Sequence, residues 1–254
     1  MNKAIIFGIT SEIGEYTAEH LKIDNWDVYG TSRTKSSPKI AKLDLNNRDE
    51  VENFVCTTQW LENWSLACFF AATMKPIGPF FDLDFKKWEE SIYINFISQL
   101  SLLHKIWPYR NKKEEVTISF LAGGGTNSEF DNYSAYCISK IALIKFTELV
   151  SSENPNSKFF IIGPGYMKTK IHEETLEAGE SAGDNLRKTL QFLNTEGTTF
   201  DRFYKHFKWC LNSPINSISG RNFSTAYDDW NESYSLLEKL EHDQDLFKLR
   251  RKNQ

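Results

Sequence analysis

Cysteine is scarce: Cys56, Cys68, Cys137 and Cys210 are the only four in 254 residues. They form no Cys-x-x-Cys pair and have no histidine partner at ligand spacing. A disulfide framework is therefore not implied, no metal site is expected, and a reducing, cytoplasmic compartment fits. Long apolar runs are missing, and none approaches the 18 or more residues of a membrane span. The opening run Ala4-Ile5-Ile6-Phe7 is too short for a secretory signal core and meets polar Thr10-Ser11-Glu12. An excess of positive charge is missing too. The chain carries 30 Lys+Arg against 34 Asp+Glu, a formal net charge of −4, so no nucleic-acid partner is expected. There is no internal repeat, low-complexity tract or linker. The charged run Arg110–Glu115 reads as a solvated loop, and Arg250-Arg251-Lys252 is too short for a basic patch.

What is present is an ordinary globular balance. The chain is 40% hydrophobic, 25% charged and 14% aromatic, with 19 Phe, which points to a large, well-filled core. At about 150 residues per domain the length allows either one or two domains. One domain over residues 1–254 is the expectation, because single α/β domains commonly reach this size.

Short apolar runs recur along the chain: Ala4–Phe7, Val28–Thr31, Ile40–Leu43, Leu66–Phe70, Val116–Leu121 and Phe159–Ile162. They do not alternate with polar residues, so each reads as a strand buried on both faces. Between them lie helical patterns at about Ile13–Lys22, Asp49–Leu61, Phe85–Trp107 and Tyr133–Ser152. This alternation predicts an α/β fold, a doubly wound parallel sheet with helices on both faces, in three layers. Ile218–Ser224 reads as a last strand, and residues 225–254 as a C-terminal tail. The helices Phe85–Trp107 and Tyr133–Ser152 are apolar almost all round. Since the sheet covers one side only, a second copy of the chain, in a homodimer or homotetramer, is expected on the other. The alternative cover is the C-terminal segment.

Three places carry chemistry. Gly8-Ile9-Thr10-Ser11-Glu12-Ile13-Gly14 lies between the first strand and a helix. A glycine-bearing turn there lets a phosphate reach the backbone and the helix amino end, although two glycines could also serve only a tight turn. The second strand ends at Thr31-Ser32-Arg33 with no acid at its tip. An Arg there suits a 2′-phosphate, where an acid would take the ribose hydroxyls. Finally, Tyr136 and Lys140 stand four apart, on one helix face. A lysine charge there stabilises phenolate and lowers a tyrosine pKa that otherwise lies near 10.

Taken in order, these features resemble the short-chain dehydrogenase/reductase superfamily over nearly the whole chain. Further matches are Asp44 after the third strand, Phe70-Ala71-Ala72 where the family reads Asn-Ala-Gly, Asn95 inside a helix, Pro164-Gly165-Tyr166-Met167-Lys168-Thr169, and Ser219-Gly220-Arg221. The resemblance implies a Rossmann-type fold and a nicotinamide dinucleotide, NADP(H) by the Arg33 argument, with NAD(H) as the alternative. It also implies that Gly8, Ser11, Ile13 and Gly14 cradle the pyrophosphate, Asp44 and Leu45 flank the adenine, and Ala71 meets the adenosine ribose. Lys140 would hold the nicotinamide ribose and tune Tyr136, and Asn95 would anchor a water in a proton relay. Thr169 would meet the carboxamide, with Pro164 and Gly165 shaping the loop beneath the ring. Residues 166–200, with Tyr166, Met167 and His172, would form a substrate lid.

Three departures qualify the match. Phe7 replaces the usual Thr and Glu12 the usual middle Gly. The third concerns the family's active-site Ser: Ser119-Phe120-Leu121-Ala122-Gly123-Gly124-Gly125-Thr126 resembles relatives with a Ser-Gly-Gly-Gly loop, which sets Ala122 in that Ser's place. Ser119, Thr126 and Ser128 are the hydroxyls that could substitute. Losing one such donor costs about 2.7–4 kcal/mol. Positioning, at about 7–11 kcal/mol, and a placed acid survive that loss. The expectation is an oxidoreductase that moves hydride between nicotinamide and a substrate carbonyl or alcohol carbon, weakened or redirected rather than inert. The alternatives are a catalytically silent cofactor-binding relative and a sugar-nucleotide-modifying one.

Overall fold

The structure, a computed structural model, describes residues 1–231 and 233–251. Of the C-terminal tail, residues 232 and 252–254 lie outside the described residues. Seven strands form one sheet: β1 (Lys3–Phe7), β2 (Asp27–Ser32), β3 (Ile40–Lys42), β4 (Trp64–Phe69), β5 (Thr117–Leu121), β6 (Lys158–Gly163) and β7 (Arg221–Ser224). Their order is β3-β2-β1-β4-β5-β6-β7, and all adjacent pairs are parallel. Every residue of β4 and β5 is buried, Ser65, Thr117 and Ser119 included, as strands covered on both faces require. The chain runs outward from β1 to β3 and returns to β4, so strand order reverses between β1 and β4. The crevice beyond the carboxyl ends of those two strands is where an open α/β sheet binds ligands.

The helices are α1 (Glu12–Ile23), α2 (Arg48–Thr57), α3 (Phe85–Ile92), α4 (Ser98–Ile106), α5 (Ser134–Glu153), α6 (Ile171–Ala178), α7 (Asp184–Leu193), α8 (Phe200–Asn212), α9 (Ile215–Ile218) and α10 (Ser233–His242). One core lies between the sheet and α1, α8 and α10, and includes Ile6, Phe160, Phe207 and Leu240. The other lies beneath α2, α4 and α5. There Phe7, Phe69 and Phe120 stack in a row across three strands, with ring centroids 4.6 and 5.0 Å apart.

Two elements differ from expectation. The helix expected over Phe85–Trp107 is broken by a π-turn at Tyr93–Ile97 that joins α3 to α4 and holds Asn95. Such turns are rare and frequent at functional sites. The last strand begins at Arg221 rather than Ile218, because Pro214 opens the short helix α9, which takes in Ile218 and is capped by Ser219. On the outer face of the sheet-flanking helices, Ile97, Ile138, Ile141 and Leu149 remain exposed.

Candidate active site

The turn from β1 into α1 is built around two bare backbone positions. Gly8 sits at φ +89°, and a Cβ there would lie 2.8 Å from the Ala71 amide nitrogen. At Gly14 a Cβ would strike the Gly8 carbonyl oxygen. Ser11 caps α1: its Oγ accepts from the Gly14 amide at 3.1 Å and donates to the Gly8 carbonyl at 2.8 Å. Ile13 is buried beneath the turn. The amides of Glu12 and Ile13 have no partner among the described residues, so the helix end keeps free donors.

The adenosine end has a matching layout. Arg33 follows β2, exposed, without an ion pair among the described residues. Beside it, the Ser32 Oγ shares a 2.9 Å hydrogen bond with Thr10 and accepts from the amides of Thr34 and Lys35. Lys35 lies 3.6 Å from the Glu15 carboxylate. Asp44 and buried Leu45 follow β3. One Asp44 carboxylate oxygen accepts from the Asn46 amide, and the Asp44 amide donates to Glu50. Ala71 continues β4: its amide donates to the Phe7 carbonyl and its carbonyl accepts from Gln99.

At the centre, α5 carries Tyr136 and Lys140, 7% and 1% exposed. The lysine Nζ stands 5.6 Å from the tyrosine ring centroid and donates to the Leu121 carbonyl at 2.9 Å. Burial pulls Lys140 down to about 8 and pushes the Tyr136 phenol well above its ordinary value, with Cys137 and Glu174 adding to the rise. This differs from the expected acidification. Desolvation opposes charge on both groups, and the ammonium is directed at a backbone carbonyl rather than at the phenol oxygen. Asn95 is fully buried, and its amide is spent on Thr73. Oδ1 accepts from the Thr73 amide at 2.9 Å, and Nδ2 donates to the Thr73 carbonyl at 2.8 Å. No described hydrogen bond joins Asn95 to Lys140 or Tyr136, so its side chain fixes the segment after β4.

Ala122 and Gly123 stand differently towards Tyr136. Ala122 packs in the core under α2, α4 and α5, and its amide extends the β6 pairing through the Ile162 carbonyl. A Cβ on Gly123, by contrast, would lie 2.0 Å from the Tyr136 hydroxyl oxygen. Successive strand residues point to opposite faces, so a one-residue difference decides which one meets the phenol. Ser119 is buried within β5 without a partner, and Thr126 donates to the Gly123 carbonyl at 3.3 Å.

Pro164 and Gly165 lead from β6 into residues 166–200, whose two ends meet where the Thr198 amide donates to the Tyr166 carbonyl. Thr169 accepts the His172 amide through its carbonyl. The carbonyl of buried Met167 shares a 2.9 Å hydrogen bond with the His172 Nε2, and Tyr166 and His172 both lie against Phe192. Sequence reasoning missed Glu174 on α6. Its carboxylate accepts from Thr73 Oγ1 and from the Met74 and Lys75 amides. It ties α6 to the segment that Asn95 holds. Met74, Ile77, Tyr133, Cys137 and Ala182 form one apolar cluster with Tyr136. A cleft of about 510 Å³ opens alongside, lined by Thr73, Ile77, Ser91, Ile94, Glu174 and Ala178 among others.

The chemistry of the residues named around this crevice suits a dinucleotide, with one exception. Bare Gly8, two free helix amides, unpaired Arg33 and a lysine with donors to spare all suit it. The exception is Glu12, whose carboxylate stands in the first turn of α1 and accepts from the Lys170 amide at 3.0 Å.

The short chain dehydrogenase family profile matches residues 2–180. An uncharacterized oxidoreductase of Schizosaccharomyces pombe is 26% identical over 129 residues, 50% of this chain and 52% of that protein. A benzil reductase ((S)-benzoin forming) of Saccharomyces cerevisiae is 32% identical over 97 residues, 37% of each chain. The chain thus spans about half or less of those two relatives. A benzil reductase ((S)-benzoin forming) of Bacillus cereus is 23% identical over 220 residues, 78% of this chain and 88% of that protein. Among solved structures, a short chain dehydrogenase/reductase from Saccharomyces cerevisiae superposes with TM-score 0.75 at 19% identity, covering 90% of this chain and 97% of that one. A small-chain dehydrogenase in complex with NADPH gives 0.71 at 15% identity, covering 88% and 95%. A 4-hydroxyisoleucine dehydrogenase complexed with NADH gives 0.69 at 20%, covering 88% and 96%. At these identities the structures establish the fold.

Proposed function

The chain belongs to the short chain dehydrogenase family, and we propose that it is an NAD(P)(H)-dependent oxidoreductase that interconverts a carbonyl and an alcohol, with NADP(H) preferred. One observation carries the reading: the Tyr136 hydroxyl has no described hydrogen-bond partner, and Lys140 lies one turn behind it. When bound, the nicotinamide supplies or accepts the hydride. The protein's own part is the proton. A buried phenol held neutral is a donor at rest, which suits reduction. As the phenolate forms, its charge favours protonated Lys140. The packing of Met74, Ile77 and Ala182 about Tyr136 keeps water from competing. Lys140 also has donors left for ribose hydroxyls, and Arg33 with Ser32 would hold a 2′-phosphate.

The apolar cluster around Tyr136 favours a bulky, apolar carbonyl substrate. Two relatives are named benzil reductases, which makes an aromatic diketone the first substrate to try. Residues 166–200 serve as its lid. The test is NADPH oxidation with benzil and a panel of ketones, beside a cofactor-binding titration. Turnover that vanishes in Tyr136→Phe supports the reading. Unchanged turnover in that variant rejects Tyr136 as the acid.

A second reading, a cofactor-binding relative without turnover, is favoured by Gly123, which offers no hydroxyl beside Tyr136. Binding without oxidation across the panel selects it. We further propose a homodimer or homotetramer through the exposed apolar residues of the π-turn before α4 and of α5. A reducing compartment suits the four free thiols. Among the described residues no helix is long and apolar enough to cross a membrane.

A further inference from the structure

Glu12 is the one residue of the cofactor crevice whose chemistry opposes a cofactor. It occupies the first position of α1, directly after the Ser11 cap. An acid there is favourable in the free chain, because the helix amino end carries partial positive charge. Its carboxylate does more than sit at that end. Oε1 accepts from the Lys170 amide, 158 residues away, at 3.0 Å. Lys170 immediately precedes α6, the helix that Glu174 ties to residues 73–75. The stretch 170–174 is therefore strapped at both ends, by Glu12 on the cofactor side and by its own Glu174 on the substrate side.

We propose that Glu12 is a positioning residue that latches the lid in the cofactor-free chain and must be displaced when a dinucleotide enters. The proposal rests on the oxidoreductase reading above. A diphosphate seeks the free amides of Glu12 and Ile13. It cannot share that helix end with a carboxylate without like-charge repulsion. The carboxylate thus stands in for the diphosphate, neutralising the helix end and engaging the lid amide while no cofactor is bound. Cofactor entry exchanges one anion for another and frees Lys170. Two consequences follow: the latch weakens cofactor affinity, and it couples cofactor binding to lid release.

The experiment compares wild type, Glu12→Ala and Glu12→Gln, each checked for an unchanged thermal midpoint. Two quantities are read: the Kd for NADPH by fluorescence titration, and hydrogen exchange at the Lys170 amide without cofactor. Glu12→Ala should bind NADPH about tenfold more tightly and exchange the Lys170 amide about tenfold faster. Glu12→Gln keeps the shape and loses the charge, so it should also bind more tightly, and it carries the affinity test if the alanine variant does not fold. If wild type binds NADPH and neither variant binds it more tightly, or if Lys170 exchange is unchanged in Glu12→Ala, the latch is overturned and the oxidoreductase reading stands. If no form binds NADPH or NADH, both fall together.

Discussion

The Tyr136 hydroxyl rests against the backbone of Gly123, so closely that a Cβ there would lie 2.0 Å from the phenol oxygen. The position facing the proposed acid is thus filled by the absence of a side chain. Ala122, one residue earlier, turns its methyl into the core beneath α2, α4 and α5. The phenol takes the room that a neighbouring hydroxyl would need.

This separates three variants. Ala122→Ser buries a hydroxyl among apolar side chains and should cost about 1–3 kcal/mol of stability with no gain in turnover. Gly123→Ala and Gly123→Ser both push the phenol aside, but only the serine brings a donor. Their ratio of kcat/KM isolates that donor, and the serine form should lead by up to about 10²–10³. Ketone reduction with NADPH and urea unfolding measure both effects. Equal rates for the two Gly123 variants would show that no hydroxyl is wanted there.

Arg33 should set cofactor preference. It is an exposed cation without an ion pair among the described residues, at the end of β2 beside the Ser32 hydroxyl. Its guanidinium can grip a 2′-phosphate in a bidentate pair, and charge-assisted hydrogen bonds contribute about 1.5–3 kcal/mol. Arg33→Ala should weaken NADPH binding about tenfold or more and leave NADH unchanged. Equal losses for the two cofactors in parallel titrations would assign Arg33 elsewhere.

Much of this was legible in the sequence, and the reasons differ from part to part. The strands were readable because β1, β4, β5 and β6 are covered on both faces and so are mostly apolar. Tyr136 and Lys140 were readable because helical spacing alone puts them on one face. Gly123 was not, because pleat direction turns on a single residue and an alignment through three successive glycines leaves that register open. The side-chain partners of Asn95 were hidden as well. A π-turn has no pattern of its own here, and Asn95 bonds to Thr73, 22 residues away. Glu12 and Glu174 act across 158 and about 100 residues, contacts that no local spacing signals.

The apolar outer face formed by the π-turn before α4 and by α5 should be an interface between copies. Ile97, Ile138, Ile141 and Leu149 are each more than a third exposed, while α10 packs into the opposite core. Burying them against a second copy is favourable at roughly 25 cal/mol per Å². Light scattering at micromolar concentration should give at least twice the mass of one chain, 29.5 kDa. Ile138→Glu should shift that species towards monomer. A monomer in the unmodified protein rejects the interface.

Lys140 should show the conflict between stability and chemistry most directly. Its ammonium is 1% exposed, with the Leu121 carbonyl as its described partner. Burial lowers its pKa from 10.5 to about 8. Between those values the unfolded chain binds more protons than the folded one, so stability rises with pH through that window. Below about pH 8 the full cost of the buried charge is present. At 1.36 kcal/mol per unit it amounts to about 3 kcal/mol. Lys140→Met removes the charge, keeps most of the volume, and leaves the Leu121 carbonyl without a donor, a loss of about 1 kcal/mol. At pH 7 the variant should therefore be more stable than wild type by about 2 kcal/mol, while carbonyl reduction collapses. By pH 10 the advantage should be gone, because wild-type Lys140 is then neutral in the folded state. Urea unfolding of both proteins at pH 7 and pH 10 measures the two differences. A variant less stable than wild type at pH 7 would mean that the ammonium is compensated in the fold, and that burial is not what sets its pKa.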